Sequence, residues 1–193
     1  ETYFDGLSDK EIKFAETLSG LRQIEWVHSR NCIRRIIKPI DIGPFNYINE
    51  KWGAVASPSG TAISISYSGE WTCVAVGVSN KFALGVDIEY SDILEPEVFL
   101  RAFNLSERKL VSKLNKFITP LHAFCLKEAV LKAISTRTRK RTYFSNIEFI
   151  EIHDKKLWLS FNYKDGPLYR LMMEYAIREI DGHVIALAGF YYN

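Results

Sequence analysis

The chain has 193 residues, and its 25 Lys and Arg stand against 23 Asp and Glu, a net charge of +2. That length suits one large domain or two small ones, and it buries enough surface to need no disulfide or zinc staple. Near-neutrality argues against duplex nucleic-acid binding by bulk electrostatics, because each phosphate contact needs its own cation. No apolar run approaches about 18 residues, which argues against a membrane span.

The cysteines are Cys32, Cys73 and Cys125, with no CxxC pair. Free thiols fit best, and a reducing cytoplasm is the expected compartment. The opening residues, Glu1-Thr2-Tyr3-Phe4-Asp5, lack the basic and apolar regions of a secretory signal.

Ser8 with Glu11 three residues on reads as a capping box that starts a helix. Phe14, Leu18, Leu21, Val27, Ile33 and Ile37 then recur at helical spacing, with Gly20 as an interruption and Pro39 as the stop. A looser stretch holds Pro44, Gly53, Pro58 and Gly60. Next, Ile63, Ile65 and Tyr67 alternate with serines, Trp71 to Val78 is rich in β formers, and Phe82 to Glu89 alternates again. This spacing predicts a three-stranded meander, with Asp87 and Glu89 on one face of its last strand.

Short helical pieces are expected between residues 95 and 115. Thr119 reads as an N-cap, with Pro120 opening a helix to about Ser135 that carries Phe124, Glu128 and Lys132 on one face. After the basic run Arg137 to Arg141 the chain returns to β. Leu157, Leu159, Phe161 and Tyr163 alternate, as do Tyr169 to Ile177; Asp165-Gly166 and Asp181-Gly182 are turns, and Val184 to Tyr191 closes the sheet. Antiparallel runs separated from helices argue α+β.

Two carboxylates side by side repel unless a cation or proton lies between them. Asp87 and Glu89, with Glu128 as a third, would suit a hard ion such as Mg²⁺, and Lys132 lies one turn beyond Glu128. Taken alone, a DxE strand is more often a solvated face, and Glu128 with Lys132 a surface ion pair. His28, His122, His153 and His183 have no ligand spacing, and no glycine-rich phosphate loop or serine nucleophile elbow occurs. Cys125 is either near the carboxylates or a small buried thiol. The basic run is either a solvated loop or a docking patch for an acidic protein; nucleic-acid binding is a poorer use.

The words around these residues are more specific. Gly85-Val86-Asp87-Ile88-Glu89 followed by Phe124-Cys125-Leu126-Lys127-Glu128-Ala129-Val130-Leu131-Lys132 resembles the paired signature of the 4′-phosphopantetheinyl transferases, (V/I)G(V/I)D(I/V)E and then WxxKExxxK. Ile65-Ser66-Tyr67-Ser68-Gly69-Glu70-Trp71 is similar to the family's (I/L)SHSG strand and turn. Arg22, Glu25, Trp26, Arg30 and Arg34 resemble the R..EW..GR...R helix of its two-halved members.

The resemblance implies transfer of 4′-phosphopantetheine from coenzyme A to a serine of an acyl or peptidyl carrier protein, with release of 3′,5′-ADP. It implies two pseudo-symmetric halves, residues 1–89 and 90–193, each a long helix on a small antiparallel sheet, with the active site in the cleft between them. Asp87, Glu89 and Glu128 would hold Mg²⁺. Glu128 would also serve as base, and Lys132 would contact the pyrophosphate. Ser66, Tyr67, Arg30 and Arg34 would contact coenzyme A, with Ser66 and Arg34 at the 3′-phosphate. A monomer acting in fatty acid, polyketide or nonribosomal peptide synthesis is the expectation; the alternative is a relative that binds coenzyme A or an acidic carrier without transfer.

Three positions depart from the family pattern. Tyr67 stands where a His is usual and carries no positive charge at neutral pH. Phe124 replaces the usual Trp, and Trp52-Gly53-Ala54-Val55 lacks the basic residue that often follows that glycine.

Overall fold

The computed structural model describes residues 4–40, 42–91, 94–114, 116–162 and 166–192. Tyr163, Asp165 and the opening Glu1-Thr2-Tyr3 lie outside the described residues. The chain is a mixed α+β fold in which both sheets are antiparallel.

The first helices form as their caps dictate. Ser8 Oγ accepts from the Glu11 amide while Glu11 Oε2 accepts from the Ser8 amide, which closes the capping box of α1 (Asp9–Ala15). Gly20, at φ +56°, turns the chain into α2 (Gly20–Ile37). The left-handed region suits glycine, so the expected interruption falls there. A 3-10 turn, Lys38–Ile40, ends this helical run at Pro39. Apolar α2 residues Ile33 and Ile37 pack on Tyr47, Val55 and Ile63, and Trp26 and Val27 pack on Ala15 of α1.

β1 (Thr61–Ser68) and β2 (Trp71–Val78) form a hairpin through Ser68↔Trp71. The expected third strand of that meander goes elsewhere. β3 (Phe82–Tyr90) pairs along its whole length with β7 (His183–Tyr191), in a five-stranded sheet ordered β3-β7-β6-β5-β4. β3 still packs beside β1, but a side chain makes the link: the Val86 amide donates to Ser64 Oγ at 3.0 Å. Alternation fixes which residues share a face, not which strand is the neighbour, so a two-stranded hairpin stands where the spacing predicts a three-stranded meander. A division at residues 89/90 falls inside β3, which pairs with the C-terminal sheet.

α3 (Pro96–Ala102) and α4 (Leu105–Lys113) are the expected short pieces. α5 (Pro120–Thr138) is capped by Thr119, whose Oγ1 accepts from the His122 amide. β4 (Ile147–His153), β5 (Lys156–Phe161), β6 (Tyr169–Ile180) and β7 then run up and down. The main core lies between α5 and this sheet, where Ala123, Leu126, Ala129, Val130 and Ala133 meet Leu157, Leu159, Met173, Ala186 and Ala188. Among the described residues, no helix is long and apolar enough to cross a membrane.

One buried ion pair ties α5 to α4. Lys127 and Glu107 meet at 2.6 Å with both side chains about 1% exposed. Lys127 also donates to Ala102 O, and Glu107 accepts from the amides of Asn104 and Phe149. Such a pair is tolerable in low dielectric only because every charge is also hydrogen-bonded.

Candidate active site

Gly85 sets the geometry of the site. A Cβ built there would lie 1.9 Å from Ala129 O and 2.7 Å from Ala133 N. The missing side chain lets α5 rest directly on β3, and the small residues Ala129 and Ala133 complete the close approach. The second carboxylate word is thereby brought against the first. Glu128 and Lys132, one turn apart on α5, come beside Asp87 and Glu89 of β3.

Asp87 is buried, at 3% exposure, and its Oδ1 accepts from Ser66 Oγ and Lys132 Nζ, both at 2.7 Å. Lys132 Nζ also donates to Ser66 Oγ at 2.7 Å and to Val86 O at 3.1 Å. All three ammonium hydrogens thus have protein acceptors. Asp87 Oδ2 is buried without a hydrogen-bond partner among the described residues.

The neighbouring acids are strained electrostatically. Burial, then Asp87 and Glu128, push the Glu89 carboxyl up to about 7. Burial and then Asp87 raise Glu128 as well, against the opposing pull of Lys132. Cys125 is buried beside Asp87; burial first and Asp87 second push its thiol up, and it donates to Val184 O at 3.4 Å. Both expectations for Cys125 hold together: it is a small buried thiol, and it lies near the carboxylates.

No three His, Cys, Asp or Glu side chains among the described residues converge as a ready metal cage. The donor set nevertheless fits Mg²⁺. The ion takes oxygen ligands, keeps several waters and uses few protein carboxylates. An unpartnered buried carboxylate oxygen beside two acids held above their usual range is an environment that favours a cation.

In front of this cluster opens a cleft of about 880 Å³, walled by α2 and β1 on one side and by α3, α5 and the residues after α5 on the other. Glu128, Lys132, Ser66, Tyr67 and Arg30 line it. Arg34 does not. Its guanidinium pairs with the fully buried Glu11 and lies over the Tyr47 ring at 5.3 Å, so it braces α1 against α2. On a helix, Arg30 and Arg34 are neighbours by spacing, and only the position of α1 separates their roles.

Tyr67 is also placed unexpectedly. Its hydroxyl donates to Ser29 Oγ at 2.9 Å. Phe124 stacks on Phe144 with ring centroids 5.6 Å apart, which fills the position of the usual Trp with apolar contact.

The cleft holds cations that sequence reasoning did not assign to it. Arg22, Lys51, Arg101 and Arg141 all line it. Arg141 belongs to the run read as a solvated loop or docking patch, and Lys51 directly precedes the Trp52-Gly53 step. Nothing in the sequence around Arg101 marks it. Trp52, also on the wall, has an indole N–H buried without an acceptor among the described residues.

No curated protein matches the chain. A solved structure described as the Chronobacterium ammoniagenes ACPS-CoA complex aligns at 17% identity and a TM-score of 0.40, covering 58% of this chain and 98% of that one. The family profile that matches is that of the 4′-phosphopantetheinyl transferase superfamily, over residues 83–188. That span exceeds half the chain and contains Asp87, Glu89, Glu128 and Lys132. The chain belongs to the 4′-phosphopantetheinyl transferase superfamily.

Proposed function

We propose that this protein transfers 4′-phosphopantetheine from coenzyme A to a serine of a carrier protein, releasing 3′,5′-ADP in a Mg²⁺-dependent reaction. The observation that carries the reading is the juxtaposition of a carboxylate cluster, Asp87 with Glu89 and Glu128, in which Asp87 Oδ2 is buried without a partner among the described residues, and a large cleft edged by Arg22, Lys51, Arg101 and Arg141. A ligand that takes both a metal and several cations is polyanionic, as a pyrophosphate with a further phosphate is.

Asp87, Glu89 and Glu128 would hold the ion. When bound, Mg²⁺ supplies charge stabilisation to the departing phosphate. The chain's own residues do the rest. Lys132 and Ser66 fix Asp87 in one orientation. Glu128, the carboxylate of the three that lines the cleft, is positioned to accept the proton of the carrier serine, directly or through water. Its raised proton affinity suits that task, because a base works best when its pKa nears the working pH. The cleft cations hold the phosphates and leave the scissile pyrophosphate beside Glu128.

Mass spectrometry of an apo carrier protein incubated with coenzyme A and Mg²⁺ tests the reading. A gain of one phosphopantetheine on the carrier is expected. Glu128→Gln should slow it about 100-fold or more. Coenzyme A binding with no mass gain on any acyl or peptidyl carrier would instead favour a relative that binds without transfer.

A further inference from the structure

Arg30 is the most deeply buried guanidinium of the cleft wall, at 1% exposure, and it has an unusual set of partners. Its Nε donates to Tyr47 O at 2.7 Å, its Nη1 to Ser29 Oγ at 2.8 Å, and its Nη2 to Asn49 Oδ1. The Trp26 ring lies 4.0 Å from its Cζ, and Trp26 Nε1 donates to the same Asn49 oxygen at 3.2 Å. Among the described residues no carboxylate lies within ion-pair distance of it. A guanidinium has five N–H groups, and these bonds use three of them on a residue that lines the cleft. Burial pulls its proton affinity down to about 10, against the opposing pull of Tyr67 and of Glu11.

Ser29 is the joint of this arrangement. Its own hydroxyl hydrogen goes to Trp26 O at 2.7 Å, which leaves its oxygen to accept from Arg30 Nη1 and from Tyr67 Oη together. A donor on strand β1 is thereby connected through one serine to a cation on helix α2. The donor at position 67 must not bring a second positive charge, because Arg22 already acts unfavourably on Arg30. A phenol meets that condition at every pH near neutrality.

We propose that Tyr67 is a positioning residue: through Ser29 it locks Arg30 as a fixed fork for one phosphate group of the ligand, and it does not itself touch that phosphate. This rests on the transferase reading for the identity of the ligand, but not for the existence of the anion site. A buried guanidinium without a carboxylate at ion-pair distance prefers a phosphate oxygen pair, which matches its fork. The phosphate is either the 3′-phosphate or the pyrophosphate of coenzyme A, and dephospho-coenzyme A separates the two.

Titration calorimetry with coenzyme A and dephospho-coenzyme A on the full chain tests the proposal. Tyr67→Phe and Ser29→Ala should each weaken coenzyme A about tenfold, and the double variant should weaken it no further, because the two act as one link. An effect on coenzyme A alone places the 3′-phosphate at Arg30, and an equal effect on both places the pyrophosphate there. A residue with a merely structural role would lower the melting temperature without this non-additive loss of affinity, and that result overturns the proposal. Wild-type affinity in Tyr67→Phe overturns it too, while leaving the transferase reading intact. The predicted weakening in a protein that transfers nothing supports the relay and sinks the transferase reading. Absence of binding by the wild-type chain overturns both.

Discussion

Lys132 Nζ lies 2.7 Å from Asp87 Oδ1, and its remaining hydrogens go to Ser66 Oγ and Val86 O. The lysine expected at the pyrophosphate is therefore engaged with a buried acid of the protein itself. Removing it leaves Asp87 uncompensated, since its other oxygen already lacks a partner. Breaking one side of a buried pair is far more harmful than exchanging both sides for neutral groups.

Lys132→Met should accordingly destabilise the metal-free protein by about 2–4 kcal/mol, less than for a fully buried pair because the lysine side chain is 29% exposed. Adding Asp87→Asn to that variant should return much of the loss. Excess Mg²⁺ should stabilise Lys132→Met more than wild type, since the ion takes over the missing charge. Urea denaturation of the three proteins with and without Mg²⁺ measures this. Equal Mg²⁺ effects on wild type and Lys132→Met would show that no ion binds at Asp87.

Glu89 supplies a pH dependence. Its carboxyl is pushed up to about 7 by burial first and by Asp87 and Glu128 next. Between the ordinary carboxylate pKa of about 4.3 and about 7, the native chain binds more protons here than the unfolded chain does. This group therefore loses stability for the fold as pH rises through that window, and the loss levels off above it. Glu89→Gln removes the effect. In metal-free buffer the melting temperatures of wild type and Glu89→Gln should nearly coincide at about pH 4.5 and diverge by about pH 7.5, with the variant higher. Mg²⁺ should narrow that gap. A constant difference across the range would contradict the assignment.

The carboxylate pair, the helix that faces it and the caps of α1 and α5 were legible because each is written in a short stretch. The fate of β3 was not: its alternation is the same whether it pairs with β2 or with β7, and the choice is made by α5 docking on Gly85. Arg30 and Arg34 show the same limit inside the site. They stand one turn apart, yet one faces the cleft and the other faces Glu11, because α1 covers only one of them. Lys127 and Lys132 come from a single signature, and one braces α4 and β4 while the other holds Asp87. Arg101 and Arg141 join the cleft from separate segments, which no local pattern could announce.

The close approach at Gly85 gives a sharp test of how the two halves of the signature meet. A methyl group there would overlap Ala129 O, which is backbone and cannot step aside as a side chain tip can. Gly85→Ala should push α5 off β3, at about 3 kcal/mol or more, a fall in melting temperature of about 6–12 °C for a chain of this size. Transfer should fall further than stability alone explains, because Glu128 and Lys132 move away from Asp87. Gly69→Ala is a useful contrast. Gly69 has open space around it, so only the backbone preference at φ +57° is disturbed, at about 1 kcal/mol. A Gly85→Ala protein as stable and active as wild type would mean that the helix does not rest on this strand.

Arg34 and Arg22 differ in the same way, and kinetics separates them. Arg34 is the cation for Glu11, a fully buried acid that also accepts from the amides of Ser8 and Tyr47. Arg34→Met removes a charge partner from a carboxylate that keeps its amide donors, so the expected loss is about 1–3 kcal/mol of stability. Its KM for coenzyme A should stay within about twofold of wild type, because the guanidinium does not line the cleft. Arg22 has loose contacts, with Glu25 at 3.8 Å and with the Tyr67 ring 5.9 Å from its Cζ, and its side chain is 63% exposed. Exposed pairs of that kind contribute little, so Arg22→Ala should leave the melting temperature nearly unchanged. On the cleft wall it would instead raise KM for coenzyme A while kcat holds, the signature of lost ground-state binding. Steady-state kinetics and thermal melts on the two variants decide the matter. A raised KM in Arg34→Met at unchanged stability would put Arg34 back at the phosphate, where the family resemblance places it.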